Sequence, residues 1–361
     1  RQPMPQNLRQ PAANPAVAMP AQQPVQPTQP VQPSQPVQPV KQSQPVVDTS
    51  MMTAPSKDIT EFHEKFAKLV DNVSQVVVGK EAPIRQCATA MVVGGHILLE
   101  DNPGTGKTQL ARGLANSIDM SFKRIQFTPD LLPSDVVGVT YYDQKRGEFE
   151  YREGPIFASI VLADEINRAS PKTQSALLEV MEEQKVTVDG VTHPVPQPFM
   201  VIATQNPIEQ LGTYKLPEAQ MDRFMFKLIV KNPTLDELMD IVNMTQKTMA
   251  EVAEAACTGE DLLEMRATAN QIPVAEEVMR YAMRLCSATH PDSECASATA
   301  KKYVRLGASP RAGQALISAA KVKALMNGRF NVSYNDVNEL AYSVLRHRMK
   351  LNFEAIAERV S

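Results

Sequence analysis

The chain has 361 residues, with 37 Lys and Arg against 40 Asp and Glu and a net charge of −3. That balance argues against broad electrostatic binding to nucleic acid or to an anionic membrane, and no apolar run is long enough to span a bilayer. The four cysteines, Cys87, Cys257, Cys286 and Cys295, lack CxxC spacing, and the five histidines form no HExxH pattern. Reduced thiols in a cytoplasmic protein without a zinc site are the expectation.

Residues 1–55 stand apart in composition. Proline and glutamine dominate, and a six-residue unit repeats as QPVQPT, QPVQPS and QPVQPV from Gln23, Gln29 and Gln35. Such a segment has too little apolar surface to offset the entropy of ordering, so a disordered tail with polyproline II character is predicted. It would serve as a spacer or as a dock for a partner. No stretch near Arg1 has the pattern of a signal peptide.

Helical periodicity begins at Ser56, where Phe62, Phe66, Leu69, Val70 and Val73 share one face. Val76 to Gly79 reads as a short extended segment and Glu81 to Val93 as a second helix. The next stretch, HILLEDNPGTGKTQLARGL from His96, reads as an apolar strand, a turn and a helix opened by Lys107 and Thr108. A phosphate-binding loop needs that order, because backbone N–H groups and the positive end of the helix dipole both point at the anion. Asn102, Pro103, Gly104, Thr105, Gly106, Lys107, Thr108 and Gln109 are therefore candidate nucleotide-binding residues. Lys107 would reach the β/γ-phosphates and the Thr108 hydroxyl would ligate Mg²⁺. The loop template asks for Gly at 101, where this chain has Asp101, a residue that tolerates turn backbone.

Lys123 to Thr128 reads as the next strand. An insertion follows near 131–153: a helical turn and a hairpin pairing Val139–Tyr142 with Glu148–Tyr151, either functional or simply exposed. Ile160 to Leu162 then form a doubly buried strand ending at Asp164 and Glu165. Ligands of open α/β sheets bind beyond the carboxyl ends of strands, so these acids share the crevice of the phosphate loop. Asp164 would hold the Mg²⁺ shell, directly or through water, and Glu165 would orient and deprotonate the attacking water.

Ser170 to Gln184 reads as a helix, KVTVDGVTHPVP as a tight hairpin, and Phe199 to Thr204 as a buried strand ending at Gln205-Asn206-Pro207. Asn206 would contact the γ-phosphate or the lytic water, although Asn before Pro is also a plain turn signal. Asp222 and Arg223 end a helix just before the strand Met225 to Val230. Beyond Asn232-Pro233 helical spacing takes over: Thr234 to Ala250, Asp261 to Asn270, Val274 to Cys286, Pro310 to Asn327 and Ser333 to His347. The predicted organisation is therefore a tail over 1–55, an α/β nucleotide domain over 56–230 and an all-helical domain over 231–361.

Taken together, LLEDNPGTGKT, FTPDLLPSDVVG, VLADEINRASPKTQSALLEVMEE, VIATQNP, LPEAQMDRF and GASPRAGQAL resemble the MoxR family of AAA+ ATPases over nearly all of 57–361. The resemblance implies a P-loop NTPase αβα core with a parallel sheet, a helical lid, and a homo-oligomer in the form of a hexameric ring. Gly104 to Thr108 match Walker A, with Asp101 a residue that MoxR members commonly carry there. Asp164 and Glu165 match Walker B, Asn206 the sensor-1 position, Arg223 the arginine finger, Arg311 the sensor-2 arginine, and Val78 and Gly79 the segment beside the adenine. The insertion is similar to the helix-2 insert of this branch, and proteins with von Willebrand factor A domains are an implied class of client. The implied activity is remodelling or maturation of a partner protein at the cost of Mg-ATP. A phosphotransferase would share the phosphate loop but would not need Arg223 from a neighbour. A nucleotide-gated scaffold with little turnover would not need Glu165.

Overall fold

The first helix, α1 (Lys57–Val76), buries Ile59, Phe62, Phe66, Leu69, Val70 and Val73 along one stripe, with the Phe62 and Phe66 rings stacked at 6.0 Å. Spacing of three and four residues puts these side chains on one face, and burying that face holds the helix. The computed structural model describes residues 57–101, 105–206, 213–230, 232–246 and 255–360. The Pro/Gln-rich segment lies outside them, as do Asn102, Pro103 and Gly104. Val76 closes α1 and a turn follows through Gly79, in place of the extended segment expected there. Gly79 has φ +71°, which turns the chain sharply into α2 (Glu81–Val93).

The chain continues through β1 (Ile97–Asp101), α3 (Lys107–Ser117), β2 (Phe122–Gln126), α4 (Pro133–Val137), β3 (Gly138–Asp143), β4 (Glu148–Glu153) and β5 (Ile160–Asp164). There follow α5 (Pro171–Glu183), β6 (Lys185–Val188), β7 (Val191–Pro194), β8 (Met200–Gln205), α6 (Glu218–Met221) and β9 (Phe226–Val230). Five of the strands form one parallel sheet in the order β2-β5-β8-β1-β9. The strand pleat sorts the core. Ile97, Leu99, Ile160, Leu162 and Ile202 point into a cluster shared with α1, α2 and α3. Leu98, Val161, Ala163 and Val201 point into another, built with α5. Helices therefore cover both faces, which is why these strands read as unbroken apolar runs.

The insertion is a helical turn, α4, followed by the antiparallel β3–β4 pair with Tyr142 opposite Phe149. Both rings are largely exposed and meet edge to face at 5.2 Å. The second hairpin turns at Asp189 and Gly190, both with positive φ, as a two-residue turn requires.

After β9 come α7 (Leu235–Gln246), α8 (Gly259–Gln271), α9 (Glu276–Ala288), α10 (Ala298–Tyr303), β10 (Val304–Leu306), α11 (Pro310–Met326), α12 (Tyr334–Leu345), β11 (Lys350–Leu351) and α13 (Phe353–Ala357). The helical region thus also holds a short antiparallel ladder, β10 with β11, which sequence periodicity does not reveal. Residues of α8, α9, α11 and α12 join the same apolar cluster as α1 and α2. Among the described residues no helix is long and apolar enough to cross a membrane.

Two histidines are built into this packing as neutral rings. His96 lies fully inside, with Nε2 3.0 Å from the Met181 carbonyl and Nδ1 accepting the Val201 N–H at 3.0 Å. Burial holds its pKa down at about 4, and burial beside Arg348 holds that of His347 at about 3. In the unfolded chain both titrate near 6.5, so below that pH the unfolded state binds protons that the native state refuses. Stability should fall as pH drops from about 7 to 5, by roughly 2 kcal/mol per histidine at pH 5. Carboxylates titrate mainly below that window, so melting temperatures at pH 7 and 5 test the point, and equal values would contradict it.

Candidate functional site

The carboxyl end of the sheet gathers Thr105 to Thr108 and the two acids. β1 ends at Asp101, paired with Val230 of β9. Gly106, with φ +88°, caps α3, and no acidic side chain occupies the first turn of that helix. A left-handed residue here aims the first N–H groups of α3 outward, where they and the helix dipole favour an anion. Lys107 is mostly buried, with its Nζ 3.9 Å from Asp164 Oδ1. Thr108 is half-buried beside it, and Gln109 is exposed on the next step of the helix.

Asp164 ends β5 and is nearly enclosed. Its Oδ1 accepts from the Thr204 hydroxyl at 2.7 Å and its Oδ2 from Arg124 at 2.6 Å. Glu165 leaves the strand with φ +55°. Its N–H donates to the same Thr204 oxygen at 2.8 Å, while Arg168 and Gln126 donate to its carboxylate at 2.8 and 3.1 Å. One hydroxyl on β8 thus organises both acids. Asn206 lies half-buried just beyond β8, and its carbonyl accepts from Asn167 at 3.4 Å. Thr204, Arg124, Gln126 and Arg168 were not among the residues picked from the sequence. Only the strand order, which sets β2 and β8 on either side of β5, brings the first three to the acids.

Next to the loop is a narrow slot whose apolar walls are Val77, Pro83, Leu99, Leu110 and Val230 and whose floor is Thr105, Gly106 and Lys107. Val78 and Gly79 form the turn between Val77 and Lys80 at its edge. The Glu237 carboxylate lies 2.1 Å from where a Cβ on Gly79 would stand, and it also accepts from the Thr234 N–H at 2.8 Å. A side chain at 79 would therefore meet an unfavourable φ and push aside the Glu237 carboxylate that caps the start of α7. Gly79→Ala should weaken ATP binding by about tenfold, the equivalent of roughly 1–2 kcal/mol of backbone strain. Titration with a fluorescent ATP analogue checks this, and unchanged affinity would separate Gly79 from the base-binding edge.

Arg223 and Arg311 are elsewhere. β9 runs parallel to β1 and starts with Phe226 opposite Ile97, so Arg223 precedes the amino end of the sheet. Five strand residues, about 16 Å, separate that edge from the crevice of Lys107. Arg223 Nη2 lies 2.7 Å from Glu182 Oε2 at the end of α5, and its Nη1 donates to the Leu178 carbonyl. Arg311, in the first turn of α11, bonds to the other oxygen of Glu182. The structure therefore groups Arg311 with Arg223, and neither lines the slot beside Lys107.

The donor set fits a triphosphate: an acid-free helix start and a lysine for the phosphates, beside an apolar slot that would have to widen to admit a base. It also fits Mg²⁺, which commonly takes one or two protein oxygens and completes its shell with phosphates and water. Thr108 and Asp164 are suitable donors. Among the described residues no group of three His, Cys, Asp or Glu side chains could hold a metal by itself.

A parallel sheet in this order, with a lysine-bearing loop after β1 and paired acids after β5, and with a helical region following β9, defines a P-loop ATPase of the AAA+ class. Residues 96–226 match the ATPase family associated with various cellular activities (AAA), and residues 296–361 match the AAA lid domain. The chain is 42% identical over 294 residues to the chaperone MoxR1 of Mycobacterium tuberculosis, covering 81% of this chain and 78% of that protein. It is 28% identical over 311 residues to the protein MoxR of Paracoccus denitrificans, covering 82% and 91%. A crystal structure of a Cytophaga hutchinsonii protein superposes with a TM-score of 0.80 at 41% identity, covering 84% of this chain and 92% of that one. With these relatives, the chain belongs to the MoxR family of AAA+ ATPases.

Proposed function

We propose that the protein hydrolyses Mg-ATP in a ring of identical subunits, hexameric by resemblance, and uses the cycle to remodel or activate a partner protein. The observation that carries this reading is the position of Arg223. It stands at the amino edge of the sheet, about 16 Å from the carboxyl edge where its own subunit would bind phosphate, which supports a role toward another copy.

In this reading Thr105, Gly106 and Lys107 bind the phosphates, the turn of Val78 and Gly79 borders the adenine, and Thr108 with Asp164 holds Mg²⁺. When bound, the metal neutralises charge on the phosphates. Glu165 orients a water and takes its proton, with Thr204 fixing the backbone that presents it. Asn206 helps to align that water. Lys107, from within the subunit, and Arg223, from the neighbour, stabilise charge on the transferring group. The exposed Tyr142–Phe149 tip of the insertion offers aromatic surface for gripping a polypeptide, and is the part we assign to the client.

If the site is completed by a neighbour, turnover per subunit should rise with protein concentration and then level off as rings fill. A flat dependence over about a hundredfold range, wide enough to span typical association constants, would count against ring assembly. A phosphotransferase acting through one subunit predicts that flat line.

A further inference from the structure

Glu182 is where the core and the lid bring their arginines together. One carboxylate oxygen holds Arg223, which precedes β9 of the core, and the other holds Arg311, at the start of lid helix α11. The three side chains are 29%, 44% and 38% exposed for Arg223, Arg311 and Glu182. Ion pairs so open to solvent add little to stability, so the arrangement needs another reason.

The surroundings supply one. The Ser309 hydroxyl accepts from the Arg311 N–H at 3.2 Å and bonds both Asp222 oxygens at 2.7 and 2.8 Å. Arg348 donates to Asp222 at 2.8 Å and to the backbone carbonyls of Asp222, Phe224 and Met225. Asp222 is thus gripped by the lid through Ser309 and Arg348, while Arg223 meets the lid arginine only through the core carboxylate of Glu182 that both share. Two guanidinium groups side by side repel, and a cation in the first turn of α11 also opposes the helix dipole. A single carboxylate between them offsets both costs while leaving each fork with further N–H donors.

We propose that Glu182 is a positioning residue that sets Arg223 and Arg311 as a paired clamp for the γ-phosphate held by a second copy of this chain. The proposal rests on the trans-acting reading of Arg223 and extends it. The lid arginine acts in the same clamp as the core arginine, and the angle between lid and core decides whether the pair is aligned. Guanidinium forks match phosphate oxygens in geometry, and a phosphoryl group gathering charge in the transition state can draw both from Glu182.

Mixed rings of the full-length chain test it. A Glu165→Gln subunit is a donor that lends its arginines but cannot turn over. An Arg223→Ala subunit is an acceptor with an intact site of its own. Mixing the two should restore turnover. A donor carrying Glu165→Gln with Glu182→Ala should restore about 10- to 100-fold less kcat, the scale expected for a charge displaced by about an ångström, with KM for ATP unchanged. Glu182→Gln keeps the shape and one carbonyl oxygen, so its donor should fall between these. Restoration by either Glu182 variant to the level of the parent donor, or a loss that appears only in KM, would overturn the proposal. If no donor restores activity, including the parent, the trans reading itself fails.

Discussion

Glu165→Gln should lower ATP turnover by about 10²- to 10⁴-fold, the usual contribution of a positioned general base, and leave nucleotide affinity close to that of the wild type. The two effects separate because different parts of the chain supply them. In the proposed site affinity would come from Thr105 to Lys107 and the apolar slot of Val77, Leu99 and Leu110. Proton removal needs a carboxylate, and Glu165 is oriented by Arg168, Gln126 and the Thr204 hydroxyl. Glutamine preserves the side-chain shape and can still accept from Arg168, so the site should stay folded around it. Steady-state turnover and analogue binding measured on the same preparation check both halves. A variant that hydrolyses ATP at near the parental rate would remove Glu165 from the chemistry. If the proposed ring forms, the same variant held in ATP is also the tool for finding a client, because a ring arrested before hydrolysis should retain what it grips.

Arg223→Ala should be comparably severe for a different reason. An arginine that meets the γ-phosphate in the transition state contributes about 10³- to 10⁵-fold in ATPases and GTPases that use one, so kcat should fall on that scale. ATP affinity should change little, because the residue lies at the opposite edge of the sheet from its own Lys107. Loss of affinity at constant kcat would instead place Arg223 in the site of its own subunit. Truncation also frees one Glu182 oxygen, the other staying on Arg311, and breaks the bond to the Leu178 carbonyl. A melting curve is needed beside the kinetics, and a kcat defect without a matching loss of melting temperature is the expected pattern.

Much of the crevice was legible because its chemistry is local in the chain. Gly106, Lys107 and Thr108 follow one another, and so do Asp164 and Glu165, so their residue types alone place them at a strand-to-helix turn and a strand end. The buried strands were equally plain. Ile160 to Leu162 and Phe199 to Ala203 are continuous apolar runs of the kind that only a sheet covered on both faces demands. Less legible was the support around the acids. Thr204 is one polar residue at the end of an apolar strand, and Arg124 and Gln126 look like ordinary exposed positions of an edge strand. Their role depends on β2 and β8 flanking β5, a pairing of segments roughly 40 residues apart in sequence. The β10–β11 ladder was hidden because strands of three and two residues carry no period.

The sequence by itself determined the strand-to-helix turn at Gly106 to Thr108, the acid pair at a strand end, the αβα class and the family, since each depends on residue types at fixed short spacing or on hydrophobic periodicity. Which residues share an edge of the sheet was decided only by tertiary structure. Arg223 and Arg311 are 88 residues apart, and neither carries a local sign of its partner. Parallel pairing of β9 with β1 sends Arg223 to the amino edge, and the packing of α11 brings Arg311 to the same Glu182. Direction of a strand and docking of a helix are properties of the assembled core. They turn two unremarkable surface arginines into a pair facing away from their own phosphate loop.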